Sequence, residues 1–432
     1  MKRPPACWRN RPSSVSSNWM LMTENRIKGG TKHYGAYPEG PVSPLLAYAF
    51  RPFFLLLAAH ILLSIVLWGL TLGRVFPLLF LGDPFAWHIY EMVFGTGSAA
   101  IAAFILTAVP EFYSGAVPVV GRRLGYLVLL WVLGRVAFWL MKWVGMEIVI
   151  LTNLPFLLWV VALVARPILE DPTRKNARLL ATMLGLWLIQ AWYLAVMAGW
   201  VAGNPMQILR VGVGGFMVLE LLAIRRIATE SINEWFEAQG IDDLFLARPP
   251  RYNLAVFCVV LYTAVEFFQP GNSLLGWLGL AAAAGVFHTL NDFFLTDEAI
   301  VHKPQVFPLF LILVLMGVGY GLLGWDHLDT GVHAGSHFRH LLTSGVMGLS
   351  YLVVMVTVSN VHTGREIVWD RWMNLALLLL LAGTAMRATA YLVGNMLHWH
   401  MGTALVWGLP FLIYGIRYQR ILRSPRADGL PG

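Results

Sequence analysis

Long apolar runs, broken by short polar stretches, recur along almost the whole chain after residue 50. A helix needs about 20 residues to cross a bilayer, so runs of this length predict transmembrane helices rather than strands or a soluble amphipathic fold. About twelve are legible, at 50–72, 87–109, 124–141, 146–165, 178–201, 206–226, 253–269, 273–295, 306–325, 337–361, 373–394 and 398–422. Residues 1–44 are basic, rich in Pro, Gly and Ser and without apolar periodicity, which predicts a disordered cytoplasmic tail. They lack the long apolar core of a cleaved signal peptide. The longest internal polar stretch, 228–251, follows the sixth run. Its Ile232, Trp235, Phe236, Ile241 and Leu244 predict a short amphipathic segment on the cytoplasmic surface. The expected organisation is a tail over 1–44, a membrane domain over 45–424 and a second tail over 425–432. Within the domain, six helices at 50–226 and six at 253–422 flank the linker.

Composition agrees with this pattern. Of 432 residues 58% are hydrophobic and 12% charged, against about 25% charged in a soluble domain, and the mean hydropathy is +0.65. The fold class is an all-α polytopic transmembrane bundle. Lys and Arg test the number of crossings, because they accumulate in alternate, cytoplasmic loops. Here they fill the amino-terminal tail, then Arg122 and Arg123, then Arg166, Arg174, Lys175 and Arg178, then Arg225, Arg226, Arg248 and Arg251, then Lys303, then Arg365 and Arg371, then Arg417 to Arg426. The intervening loops hold little more than Arg74 and Lys142. Both termini are therefore expected in the cytoplasm, with the chain multi-pass in a bacterial inner membrane. The formal charge of +8 is a topology signal and gives no reason to expect nucleic-acid binding. The two cysteines, Cys7 and Cys258, supply neither a disulfide framework nor paired thiolates nor a C-x-x-C-H haem attachment. A metal would have to be held by His, Met, Tyr or carboxylate.

Topology turns scattered histidines into a spatial pattern. His88, His327, His333, His337, His340, His398 and His400 all fall at outer helix ends or in outer loops. His333, His337 and His340 are spaced to share a helical face if their helix starts early enough, and His88, Glu91 and Met92 share another. Singly, each is accounted for as an interfacial residue. As a cluster they point to a metal or haem, since imidazoles converging from separate helices build such sites in bundles. The buried charges Arg135, Arg210, Glu220, Glu266, Asp292 and Arg387 either pair between helices or serve function, the arginines towards haem propionates and the carboxylates towards proton movement. His60 and His288 lie deeper and read first as packing residues. In HTGRE at 362–366, Gly364 suits a helix C-cap and Arg365 the headgroups, while His362 is left without a structural reason.

Together these segments resemble the NnrS family, bacterial inner-membrane proteins described as containing haem and copper and linked to nitric oxide exposure and denitrification. The resemblance is carried, in order, by FRPFFLLLAAH at 50–60, WHIYEMVFG at 87–95, AFILTAVPEFYSG at 103–115, LLWVLGR at 129–135, HLLTSGVMG at 340–348, HTGR at 362–365 and the ending RYQRIL with PRADGLPG. Tyr90 stands where the family's second helix usually has another His, Thr357 and Val361 stand where Arg and Gly are usual before HTGR, and GGFMVLELLAIRR at 214–226 replaces a GGR-x-x-P-F motif. The resemblance implies haem b and copper as cofactors, nitric oxide as the partner molecule, and a role in tolerance of nitrosative stress by binding or redox processing at the outer side of the membrane. Whether turnover occurs is left open. The residues it points to are His88, His340 and His362 as ligands, then His337, His398 and His400, with Glu91 orienting His88 and Arg135 and Arg387 beside the cofactor. The alternatives are a secondary transporter, for which Gly212, Gly214 and Gly215 would break the sixth helix, and a family member that binds no metal.

Overall fold

The computed structural model describes residues 36–73, 75, 83–113, 115–329, 334–394 and 396–432. Most of the expected amino-terminal tail, Arg74 and His333 lie outside the described residues. Twelve long helices are found among them: α1 (Phe50–Leu72), α2 (Pro84–Phe112), α3 (Gly121–Trp139), α4 (Met146–Leu169), α5 (Ala177–Met197), α6 (Pro205–Gln239), α7 (Pro249–Phe268), α8 (Leu274–Phe294), α9 (Phe307–Leu328), α10 (Gly335–Val361), α11 (Arg371–Ala388) and α12 (Met396–Arg423). Nine of them, all but α3, α11 and α12, are long and apolar enough to cross a membrane.

Local chemistry sets the helix ends. Asp83, Asn204 and Asp370 accept backbone N–H groups at the starts of α2, α6 and α11, with proline in the first turn of the first two. Gly240 ends α6 in the left-handed conformation, at φ +67°. Most consecutive helices pack side by side, with α2 resting on α1 and α4, α6 bridges to α7, and α12 returns along α1, so the two groups of six close on one another. The stretches before α1 and after α12 meet at one end of the bundle, where Arg51 Nη1 donates to the Ser424 carbonyl at 2.7 Å.

Two expectations are corrected. The amphipathic segment after the sixth run is a continuation of α6, because Ile232 and Phe236 are packed in the core. The following strand-like stretch is tied down by reciprocal bonds between Asn233 and the Phe245 backbone. Nor do Gly212, Gly214 and Gly215 break α6. Each faces a side chain from a neighbouring helix, Phe94, Thr263 and Leu186 respectively, within 3.0 Å of where a Cβ would stand. The helix-propensity cost of glycine, about 1 kcal/mol each, is offset by this close approach.

α2 and α10 share an irregularity that hydropathy does not reveal. Each begins as an α-helix, widens into a π-helical stretch at Glu91–Gly95 or Leu341–Met347, and then resumes. Such stretches leave ladder carbonyls in need of other donors and occur often at functional sites. In α2, Trp131 Nε1 serves the Gly95 carbonyl at 3.1 Å and Thr96 Oγ1 serves that of Glu91 at 3.0 Å.

Candidate functional site: a histidine- and arginine-lined cavity

The ends of α1, α7, α9 and α11 and the starts of α2, α6, α10 and α12 surround a cavity of about 470 Å³, within the usual range for cofactor sites. All these ends lie on one side of the bundle. Its walls are chiefly apolar, from Ile65, Trp68, Val93, Val213, Leu323 and Trp407, with Met92, Met206 and Met347 among them.

Into this apolar chamber project His88, His327, His340 and His400, with Arg210, Arg339, Arg387, Glu266 and Asp326. The His340 Nδ1 lies 2.8 Å from the Ser336 carbonyl, one turn earlier in α10. A carbonyl only accepts, so Nδ1 carries the proton and Nε2 is left as a lone-pair donor, the tautomer a metal-binding imidazole requires. His88 stacks on Trp68, with ring centroids 4.4 Å apart and planes within 5°. Its Nδ1 is buried without a hydrogen-bond partner, as is that of His400. Buried polar atoms left unsatisfied call for a ligand or water.

The charges divide into spent and unspent. Arg339 makes a two-pronged pair with Glu266, and Asp326 accepts the Ala334 N–H at 2.6 Å. Arg387 donates to His337 Nδ1 at 2.8 Å, which makes that nitrogen an acceptor and puts the His337 proton on Nε2. Neither Arg210 nor Arg387 is paired with a carboxylate among the described residues. Two guanidinium groups without counter-anions beside an apolar chamber suit a ligand that carries carboxylates.

The residues singled out in the sequence fall into three places. His88, His340, His400 and Arg387 line the cavity. His337 stands behind it, its ring 6.2 Å from that of His400, and His398 is exposed. Glu91 does not orient His88, because the widened turn directs it elsewhere: its Oε1 takes Arg135 Nη1 at 2.7 Å and its Oε2 lies 3.0 Å from His60 Nε2. Arg135 is thereby committed to Glu91 and to Asn153 and does not reach the cavity. Tyr90 joins the same buried cluster, donating to Asn153 at 3.2 Å and accepting from Gln190 at 2.9 Å. Sequence reasoning missed Arg339, Trp68 and Tyr351. Arg339 had a signal, a guanidinium between two histidines at the start of an apolar helix; the other two had none.

His362 lies at the opposite end of α10, remote from this chamber. There the HTGR turn closes by the Arg365 N–H bonding to the Asn360 carbonyl at 2.9 Å with Gly364 at φ +70°, which is the C-cap expected of that glycine. The 424–432 segment folds back over it. Arg426 donates to the His362 carbonyl at 2.9 Å and grips Asp428, and the Ala427 N–H donates to the Thr363 carbonyl at 2.9 Å. The His362 ring is enclosed near Tyr48 and Phe50, with Nδ1 3.9 Å from Glu111 Oε1. Burial, reinforced by the Arg426 guanidinium, pushes this imidazole down to about 4. Residues from four separated stretches of the sequence, Phe50, Glu111, His362 with Thr363, and Arg426 with Ala427, thus meet here.

The donors present fit a haem better than copper. The cavity offers an imidazole with the correct tautomer, unsatisfied ring nitrogens, unpaired arginines and apolar walls. Among the described residues no three His, Cys, Asp or Glu side chains converge closely enough to hold a metal ion by themselves. No curated protein and no solved structure matches the chain. A model of the NnrS protein family matches residues 44–426. The chain belongs to the NnrS family, whose members are linked to the response to nitric oxide.

Proposed function

We propose that the cavity holds a haem b and that the protein acts in nitric oxide tolerance by binding nitric oxide there. His340 would hold the iron, with His88 and His400 the other imidazoles on the wall, and Arg210 and Arg387 would take the propionates. Ferrous haem, when bound, would supply the iron that takes up a diatomic ligand. The protein supplies a chamber with chiefly apolar walls, in a membrane into which nitric oxide partitions. The observation that carries this reading is the His340 tautomer, set by the Ser336 carbonyl at 2.8 Å. The charge distribution supports twelve crossings with both termini in the cytoplasm of a bacterium and the cavity opening on the outer side of the inner membrane. No step is assigned to copper. A transporter reading has less support, since α6 runs unbroken past its glycines.

The test is the absorption spectrum of the detergent-solubilised protein from haem-sufficient cells, oxidised, reduced with dithionite and after addition of nitric oxide, with metal analysis of the same sample. A Soret band that shifts with nitric oxide and is lost in His340→Ala supports the proposal. A well-folded preparation without haem overturns it.

A further inference from the structure

The inner end of the cavity points to a second functional group. On α10 the residues facing the chamber descend through His340, Thr343, Ser344 and Met347 to Tyr351, the deepest. On α6 the chamber-facing positions are Met206, Arg210 and Val213. With 100° per residue, Met217 and Glu220 continue the same stripe, and Glu220 falls about 10 Å further along the helix than Val213. The two descending stripes meet. The Glu220 carboxyl approaches the Ser350 hydroxyl and stands close enough to Tyr351 for its charge to act on the phenol.

Three features set this meeting point apart. Glu220 makes no salt bridge among the described residues, in contrast to Glu91, Glu266 and Asp292, each held by arginine. The Tyr351 hydroxyl is buried without a hydrogen-bond partner among the described residues. Glu220 also keeps some accessible surface, although Met217 and Ile224 of its own stripe are closed. A buried, unsatisfied hydroxyl beside a carboxyl is where ordered water is held in protein interiors. An intramembrane carboxyl without a cation is costly to keep unless it has work to do.

We propose that Glu220 and Tyr351 form a proton-exchange site at the floor of the cavity. The Tyr351 hydroxyl releases its proton to a basic atom of the molecule held in the cavity as the Glu220 carboxyl returns one to the phenolic oxygen. One O–H bond is broken and one formed at the phenol, and no electron moves. Glu220 is left as a carboxylate until a hydronium ion in the cavity returns a proton by the same path, through the Tyr351 hydroxyl, and leaves as water.

The test is infrared difference spectroscopy of the protein in lipid on exchange from H2O to D2O, which reads the carboxylic acid C=O stretch. The expected result is an exchangeable band in the unmodified protein that is missing in Glu220→Gln. In Tyr351→Phe the band is kept, and its exchange rate falls on the order of a hundredfold, the low end of what a positioned proton-transfer group contributes. No such band in the unmodified protein, or exchange unaltered in Tyr351→Phe, overturns the proposal. If Glu220→Gln fails to fold, the other two samples still decide. The band belongs to a carboxyl and not to haem, so this result and the Soret result fail separately.

Discussion

Arg135 Nη1 donates to Glu91 Oε1 across 2.7 Å, inside the widened turn that follows His88. The carboxylate is closed to solvent, 0% exposed, and His60 Nε2 stands 3.0 Å from its other oxygen. Gly95 permits this arrangement, because a Cβ there would lie 2.6 Å from both Arg135 Nη1 and Glu91 Oε2. The triad therefore occupies the space the π turn opens, and it fixes the turn that presents His88 to the cavity.

Removing one member of a buried pair strands the other, which costs about 3–5 kcal/mol. Arg135→Met is expected to lower the thermal midpoint in detergent sharply. Arg135→Met with Glu91→Gln should recover part of that loss, since no uncompensated charge remains. A double variant as unstable as the sum of the two single variants would show that the charges are not coupled.

How much of this was legible varies with the physics of each feature. The helices were, since apolar length is set by the bilayer: α1 runs from Phe50 to Leu72, and α8 from Leu274 to Phe294, as the hydropathy predicts to within a residue. The gathering of His88, His340 and His400 at one end was legible too, through the alternation of charge. The partner of Glu91 was not, because helical spacing sets it beside His88 only while the helix stays α, and a π turn leaves no mark in hydropathy. Gly214 read as a break for a similar reason: sequence shows a missing side chain but not the Thr263 side chain that occupies its place.

The cavity's histidines should separate by role. His340→Ala is expected to abolish haem binding, whereas His398→Ala, exposed beyond the chamber, should leave the Soret band and its response to nitric oxide unchanged. His337→Ala should keep the band and weaken haem retention about tenfold, because it frees Arg387 from a hydrogen bond of the charged class, typically 1.5–3 kcal/mol. Titration of the purified protein with haem distinguishes the three. Equal loss in His337→Ala and His340→Ala would make His337 a ligand as well.

α8 and α9 approach closely enough for their backbones to touch at three glycines. A Cβ on Gly279 would lie 2.6 Å from the Gly324 Cα, and one on Gly324 would lie 2.6 Å from the Gly276 carbonyl. Close backbone approach is a main source of helix association in lipid. Gly324→Val should therefore destabilise by about 1–3 kcal/mol or more. Gly321→Ala, three residues away with its nearest neighbour, the Ala283 Cβ, at 3.6 Å, should be neutral or mildly stabilising. Size-exclusion profiles after a heating series compare the two, and equal behaviour would mean that the helices can slide apart at little cost.

The strap over HTGR should loosen in mild acid. While residues 424–432 stay closed the His362 imidazole is held down to about 4; opened to water it titrates near its ordinary 6.5. Between these values the open form binds the extra proton, so the closed form loses stability as pH falls through the window and keeps it in full above 6.5. One pKa unit is 1.36 kcal/mol, so closure should weaken by about 2 kcal/mol between pH 7 and pH 5. Asp428 does not produce this effect, because its hydrogen bond from Arg426 holds its carboxyl below the ordinary 3.8 and its contribution is lost only at lower pH. Amide hydrogen exchange over 424–432, corrected for the intrinsic rate at each pH, is the readout. Protection should drop between pH 7 and pH 5 in the unmodified protein and stay nearly level in His362→Gln, which cannot take up the proton. Parallel slopes in the two proteins would mean that another group governs the strap.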